Sequence, residues 1–198
     1  ARTIINSQDD LYSYYCQGNL SEDVTKRITY FSKFIEKEPK LGLAKAYLNR
    51  GIAFTVTEKY NEAILDLDKS IELDKNLIYA YYFRGVSSAS LEKHTEAITN
   101  YASAIKLQTN FSLAYYMRAL SFISLENYEP ALIDLNKVIE LNSDSDQGFT
   151  MRGVVYYKTE KYEKAISDWK QAKKLNKDNE QSIDEKIAKA EQKLKEKA

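Results

Sequence analysis

The sequence predicts an all-α fold, a solenoid of stacked helix-turn-helix units. Three observations point to it. First, the 34-residue stretch IYAYYFRGVSSASLEKHTEAITNYASAIKLQTNF, Ile78 to Phe111, recurs without insertion or deletion at 44–77, 112–145 and 146–179. Second, each copy holds two apolar-periodic stretches around a short polar break, the pattern of a helical hairpin that must stack to bury its apolar face. Third, the chain has only 6 Gly and 2 Pro, which suits long helices and short connections and leaves no room for a flexible linker.

Composition bounds the function. At 198 residues the chain can form one sizeable core or a quasi-one-dimensional stack. Lys+Arg and Asp+Glu are both 29, so the net charge is zero, which argues against a nucleic-acid partner. A single cysteine, Cys16, excludes an intrachain disulfide framework and a Cys-rich zinc site. No run approaches ~18 apolar residues, so no membrane span is expected. The first residue is Ala1, and localisation stays open between cytoplasmic and exported or periplasmic after loss of an upstream segment.

Taken in order, residues 1–7 read as a frayed start. From about Ser7 to Gln17, the residues Leu11, Tyr14 and Tyr15 share one helical face, and Gly18 is placed as a C-terminal stop. A second helix is expected from Ser21, with Glu22 and Asp23 at its positive dipole end. Its apolar stripe is Val24, Ile28, Phe31 and Ile35, and Pro39 ends it. Residues 1–43 thus read as a degenerate N-terminal helical pair. Four regular units follow, at 44–77, 78–111, 112–145 and 146–179. Beyond them Ser182 and Glu185 have capping-box spacing, and Ile183, Ile187, Ala190 and Leu194 form one narrow stripe. Residues 180–198 therefore read as a capping helix, and the whole chain as a single domain.

Within the units, Gly51, Gly85, Ala119 and Gly153 stand eight residues in, and Ala63, Ala97, Ala131 and Ala165 twenty in. Small residues at both points let the two helices of a unit approach closely. Large groups flank that crossing: Tyr47, Tyr81, Tyr115 and Phe149 on the first helix, Leu67, Tyr101, Leu135 and Trp169 on the second. Leu73, Leu107, Leu141 and Leu175 are expected to close the second helices. The inter-helix breaks are Glu58-Lys59-Tyr60, Glu92-Lys93-His94, Glu126-Asn127-Tyr128 and Glu160-Lys161-Tyr162. On these residues the chain resembles the tetratricopeptide repeat (TPR) family. It departs from the family pattern where Lys75, Thr109, Ser143 and Lys177 replace the usual proline, and where tyrosine or phenylalanine replaces the tryptophan of the first helix.

The resemblance implies a right-handed α-solenoid with a C-terminal capping helix, acting as a non-catalytic protein–protein interaction scaffold without a cofactor or metal. It further implies that the first helices line the concave face. The partner-binding residues expected there are Leu48, Ile52, Tyr79, Tyr82, Val86, Leu113, Tyr116, Leu120, Ile123, Val154 and Tyr157. An apolar and aromatic groove of this kind suits a protein or peptide segment. The other readings of the face are that the chain's own terminal helix fills it, or that a homo-oligomer buries it. Two further functions stay open: a chaperone-like holder of a partner's apolar segment in secretion or envelope assembly, and an accessory domain of a larger enzyme or signalling protein.

Two family mechanisms are absent. The clamp that grips acidic chaperone C-termini needs Lys, Asn and Arg where this chain has Leu48, Ile52, Phe83, Leu113 and Met117, or, one unit later, Tyr82, Val86, Met117, Gln147 and Met151. The asparagine ladder of TPR glycosyltransferases stops at Asn49, followed by Phe83, Met117 and Met151. Arg50, Arg84, Arg118 and Arg152 recur with Asp66, Asn100, Asp134 and Asp168 sixteen residues later, an arrangement expected to lock the helices of a unit rather than bind an anion. Cys16 and His94 are unique, but His94 fills a tyrosine position in a turn, so no catalytic pair is expected. The cluster Lys170, Lys173, Lys174 and Lys177 reads as a solvated outer face.

Overall fold

The computed structural model describes residues 2–39, 41–178 and 180–197, with side chains from residue 11 on. Ala1 and Ala198, and Asn179 at the expected end of the fourth unit, lie outside the described residues. The described residues form α1 (Arg2–Leu20), α2 (Val24–Glu36), α3 (Leu43–Val56), α4 (Tyr60–Leu73), α5 (Ile78–Ser90) and α6 (His94–Leu107), then α7 (Ser112–Ser124), α8 (Tyr128–Leu141), α9 (Asp146–Lys158), α10 (Tyr162–Leu175) and α11 (Glu180–Lys197). No strand occurs among them. They divide into two compact units, Ala1–Gln108 and Thr109–Ala198.

In the first unit, α1 takes in residues 2–7, where a frayed start was expected, and runs through Gly18 to Leu20. Gly18 is a packing glycine, not a stop: a Cβ there would lie 2.8 Å from the Phe31 ring. Its bareness lets α1 close on α2. The start of α2 shifts from Ser21 to Val24 because Asp23 is the cap, its Oδ1 accepting from the amides of Thr25 (2.9 Å) and Lys26 (3.2 Å). Phe31, Phe34, Ile35 and Ala46 form the core here, with the Tyr15 ring centred 5.9 and 5.1 Å from those of Phe31 and Phe34. Further along, Gly51 lies against Leu67 and Gly85 against Tyr101, where a Cβ would come within 2.8 and 2.6 Å respectively. Buried hydroxyls of Thr55 and Ser87, 2.9 Å apart, tie α3 to α5.

In the second unit, Ala119, Ala131, Leu135 and Val155 make one buried cluster. Gly153 lies against Trp169, whose Nε1 donates to the Thr150 carbonyl at 3.0 Å. The stripe of α11 packs as its spacing predicts: Ile183, Ile187 and Ala190 are buried with Tyr162, Ala165, Trp169 and Ala172 of α10. Each isoleucine contributes up to about 2 kcal/mol by burial. Exposed ion pairs fasten the helix further, Lys173 to Glu180 and Asp184 (both 2.7 Å) and Lys197 to Glu160. The Lys197 ammonium also stands 5.1 Å above the Tyr162 ring.

The inter-helix turns share one device. Glu58, Glu92, Glu126 and Glu160 adopt φ of 60, 60, 56 and 58°. After each, the next residue donates five back: Lys59 to Phe54, Lys93 to Ser88, Asn127 to Phe122 and Lys161 to Tyr156, at 2.8–2.9 Å. This is the Schellman closure, which satisfies carbonyls that a helix end leaves open. Glycine would be the easy occupant, and glutamate there costs about 1 kcal/mol.

The leucines close the second helices as expected, yet they bury little of their surface: Leu73, Leu107 and Leu175 are exposed and Leu141 is half-buried. They stand on the last residue of their helices, and the burial falls one turn earlier, on Ser70, Ala104, Val138 and Ala172.

Candidate protein-interaction face

The recurrent arginines lock hairpins. Arg50 donates through Nε and Nη2 to both oxygens of Asp66 (2.6 and 2.8 Å), Arg118 to Asp134 (2.8 and 2.7 Å), and Arg152 to Asp168 (2.8 Å each). Arg84 has a single bond to the Asn100 amide oxygen, at 2.7 Å. Each guanidinium also covers an aromatic ring four residues into its repeat, Tyr47, Tyr81, Tyr115 or Phe149, at 5.4–5.6 Å. The free edge reaches back into the preceding hairpin: Arg50 to Ser32 at 3.0 Å, Arg84 to Asp68, Arg152 to Asn136 at 2.7 Å. Hydrogen bonds to Asp134 and Asp168 outweigh burial and hold Arg118 and Arg152 above the ordinary arginine value. For Arg50, burial opposes the charge, and the hydrogen bond and charge of Asp66 overcome it. These groups are engaged within the fold, so they are not available as an anion-binding ladder.

The apolar first-helix residues fall into two layers. Leu48 and Tyr82, expected at the face, are only 8% and 7% exposed. Leu48 packs with Ala63, Leu67 and Ala80, while the Tyr82 ring is centred 5.1 and 5.9 Å from Phe83 and Tyr101. Ile52 and Val86 are half-buried in the same unit, and Tyr79 is 54% exposed. In the Thr109–Ala198 unit Leu113 is 48% exposed, while Tyr116, Leu120 and Ile123 are half-buried. Val154 and Tyr157 are half-buried against the Trp169 cluster. Tyr79 and Leu113 hold the same repeat position, and they present apolar surface to solvent.

Val154 and Tyr157 also line a cavity of about 170 Å³ with Trp169, Lys186 and Lys189. Repeat periodicity gave no sign of these lysines, because they come from α11, outside the regular units. A second cavity, about 410 Å³, is lined by Leu11, Tyr12, Tyr15, Phe34, Pro39, Leu41, Gly42 and Lys45. Cys16 is exposed on α1 and His94 opens α6, and no hydrogen bond joins them among the described residues.

Comparison with known families settles what these hairpins are. One tetratricopeptide repeat model matches residues 44–77, 78–111 and 113–145, and a second matches 147–179. The chain belongs to the tetratricopeptide repeat family. Its TPR helices superpose on solved structures of the same fold. One is MamA, with a TM-score of 0.74 and 23% identity over 80% of this chain and 92% of that one. Another is YrrB, described as a TPR protein with an unusual peptide-binding site, at 0.78 and 22% over 93% and 96%. A third is the first TPR of Spaghetti (RPAP3) bound to the HSP90 peptide SRMEEVD, at 0.57 and 21% over 59% and 92%. At such identities the likeness is one of fold. No individually curated protein matches the TPR chain.

Proposed function

We propose that this TPR chain is a non-catalytic scaffold that binds a protein or peptide segment on the inner face of its first helices. The observation that carries the reading is the exposure of Tyr79 and Leu113 at one repeat position, on helices whose arginines are already engaged in the fold. Exposed apolar surface at the same position of two successive repeats suits docking better than solvation. Support also comes from YrrB, with its peptide-binding site, and from the Spaghetti repeats bound to the HSP90 peptide. The chaperone-tail clamp is not what this chain would use, since no lysine, asparagine or arginine holds those positions. In this reading residues 44–179 carry the binding repeats, residues 1–43 and 180–198 close the two ends, and the chain acts as one domain.

Tyr79→Glu and Leu113→Glu test it. Both change surface positions, so thermal unfolding should stay within about 0.5 kcal/mol of the parent. Each should lower capture of the partner from the native source. Undiminished capture by both variants defeats the reading. A dimer in light scattering that Tyr79→Glu dissociates would instead assign the face to self-association. Tyr82→Glu is not a useful probe, because a carboxylate at that buried position would unfold the hairpin.

A further inference from the structure

Within the Thr109–Ala198 unit, the cavity between α9, α10 and α11 combines two chemistries. Val154, Tyr157 and Trp169 supply an apolar floor, and Lys186 and Lys189 supply the charge. Its volume of about 170 Å³ equals that of roughly five or six waters, more than enough for one branched aliphatic side chain. The charges around it are unevenly satisfied. Lys173, Lys193 and Lys197 each pair with a carboxylate, of Glu180 and Asp184, of Glu196 and of Glu160. Lys186 donates only to Ser182, at 2.7 Å to Oγ and 3.3 Å to the carbonyl, which leaves one of its three hydrogens unused. No carboxylate pairs with Lys186 or Lys189 among the described residues. The two lysines at the cavity thus lack the counter-charge that their neighbours have. Lys195, the remaining lysine of α11, is not part of the lining.

We infer that this cavity is a subsite for one aliphatic side chain of a partner segment, flanked in that segment by internal aspartate or glutamate. The inference rests on the scaffold reading and adds the partner's chemistry. Two lysines three residues apart on one helix are about 5–6 Å apart at Cβ, a spacing that suits carboxylates on either side of an inserted side chain. A basic segment would be repelled. A neutral one would cover both ammonium groups without pairing them, so charge discriminates between segments with the same aliphatic anchor.

Trp169 is the only tryptophan and forms one wall, so its emission reports occupancy directly. The probes are four peptides capped at both ends: acetyl-Asp-Glu-Leu-Glu-Asp-amide, its Asn/Gln counterpart, its Lys counterpart, and the acidic peptide with glycine for leucine. With the full chain, the acidic leucine peptide should shift Trp169 emission saturably. The neutral peptide should bind at least about tenfold more weakly, and the lysine and glycine peptides should give no saturable shift. Lys186→Gln with Lys189→Gln should bring the acidic peptide to the neutral level without moving the thermal midpoint. Raising salt from about 50 mM to about 500 mM should weaken the acidic peptide alone. Equal binding of acidic and neutral peptides, indifference to the lysine substitutions, or no saturable shift with any peptide overturns the inference. So does equally tight binding of an otherwise neutral peptide with a free C-terminal carboxylate, which would make a chain terminus the source of charge. The scaffold reading fails separately: it is lost if Tyr79→Glu and Leu113→Glu both leave partner capture intact, whatever Trp169 reports.

Discussion

At the crossing of α5 and α6, Gly85 lies against the fully buried ring of Tyr101; at the crossing of α7 and α8, Ala119 shares a buried cluster with Leu135. One helix gains a methyl where its partner loses a ring. The polar side of the same two hairpins is exchanged as well. Arg118 holds both oxygens of Asp134, whereas Arg84 has one bond to neutral Asn100 and takes its carboxylate from Asp68 of the preceding hairpin. The repeat therefore fixes a volume at the crossing and an acceptor on the second helix for the arginine, and leaves residue identity open. The α5–α6 hairpin leans on ring packing and on its neighbour; the α7–α8 hairpin leans on its own ion pair.

The largest expected effect comes from breaking the ring packing. Gly85→Leu should cost about 3 kcal/mol in denaturant unfolding, because even a Cβ there would sit 2.6 Å from Tyr101. Gly85→Ala should be repaired in part by adding Tyr101→Leu, which installs the α7–α8 arrangement. A wild-type midpoint for Gly85→Leu would mean that the crossing is not tight. Next comes the ion pair. Asp134→Asn removes a charge-assisted bond from a nearly buried site and should cost about 2 kcal/mol. Asn100→Asp should gain less than about 1 kcal/mol, since Arg84 already has Asp68. If the two substitutions changed stability by equal and opposite amounts, the claimed reliance of α5–α6 on its neighbour would be wrong.

The turns provide a control. Glu92→Gly and Glu126→Gly relieve the same left-handed strain, at φ of 60 and 56°, and each should raise stability by about 0.5 kcal/mol after glycine's greater freedom in the unfolded chain is counted. Unequal gains would show that the two turns differ. The smallest effect concerns Tyr101, whose buried hydroxyl has no partner among the described residues, so Tyr101→Phe near pH 7 should change stability by less than about 0.5 kcal/mol. Burial, and then the charge of Tyr82, pushes the Tyr101 hydroxyl well above the ordinary tyrosine range, and burial also raises Tyr82 and Tyr116. Unfolded tyrosine titrates near 10, so below that pH these groups contribute no slope. Above it the unfolded chain gives up protons that the folded chain keeps, and stability falls as pH rises. Circular dichroism through the alkaline range should show this fall, shallower in Tyr101→Phe.

The period, the small residues at the crossings and the sixteen-residue arginine pairing were all legible in the sequence, because each repeats at fixed offsets within one hairpin. Features that depend on what lies beside a residue were not. Gly18 looked like a stop because its neighbour Phe31 belongs to the next helix. The exposure of Leu73 and its equivalents could not be read from their apolarity, which says nothing about standing on the last turn. Leu48 and Tyr82 could not be ranked below Tyr79 and Leu113 from spacing, since depth depends on the facing helix. The cavity at Trp169 draws both of its lysines from a helix that repeats nothing.

The arginine that serves two hairpins has a consequence for how such a stack melts. Arg152 bonds Asp168 within its own hairpin and Asn136 in the one before, as Arg84 does with Asn100 and Asp68. In a one-dimensional lattice, such a residue enters both the on-site energy and the nearest-neighbour coupling. Deleting a hairpin would therefore strip a donor from the hairpin that stays, beyond the loss of contact area. Fraying from an end should proceed in whole repeats, and partly truncated arrays should melt less sharply than their length alone would suggest.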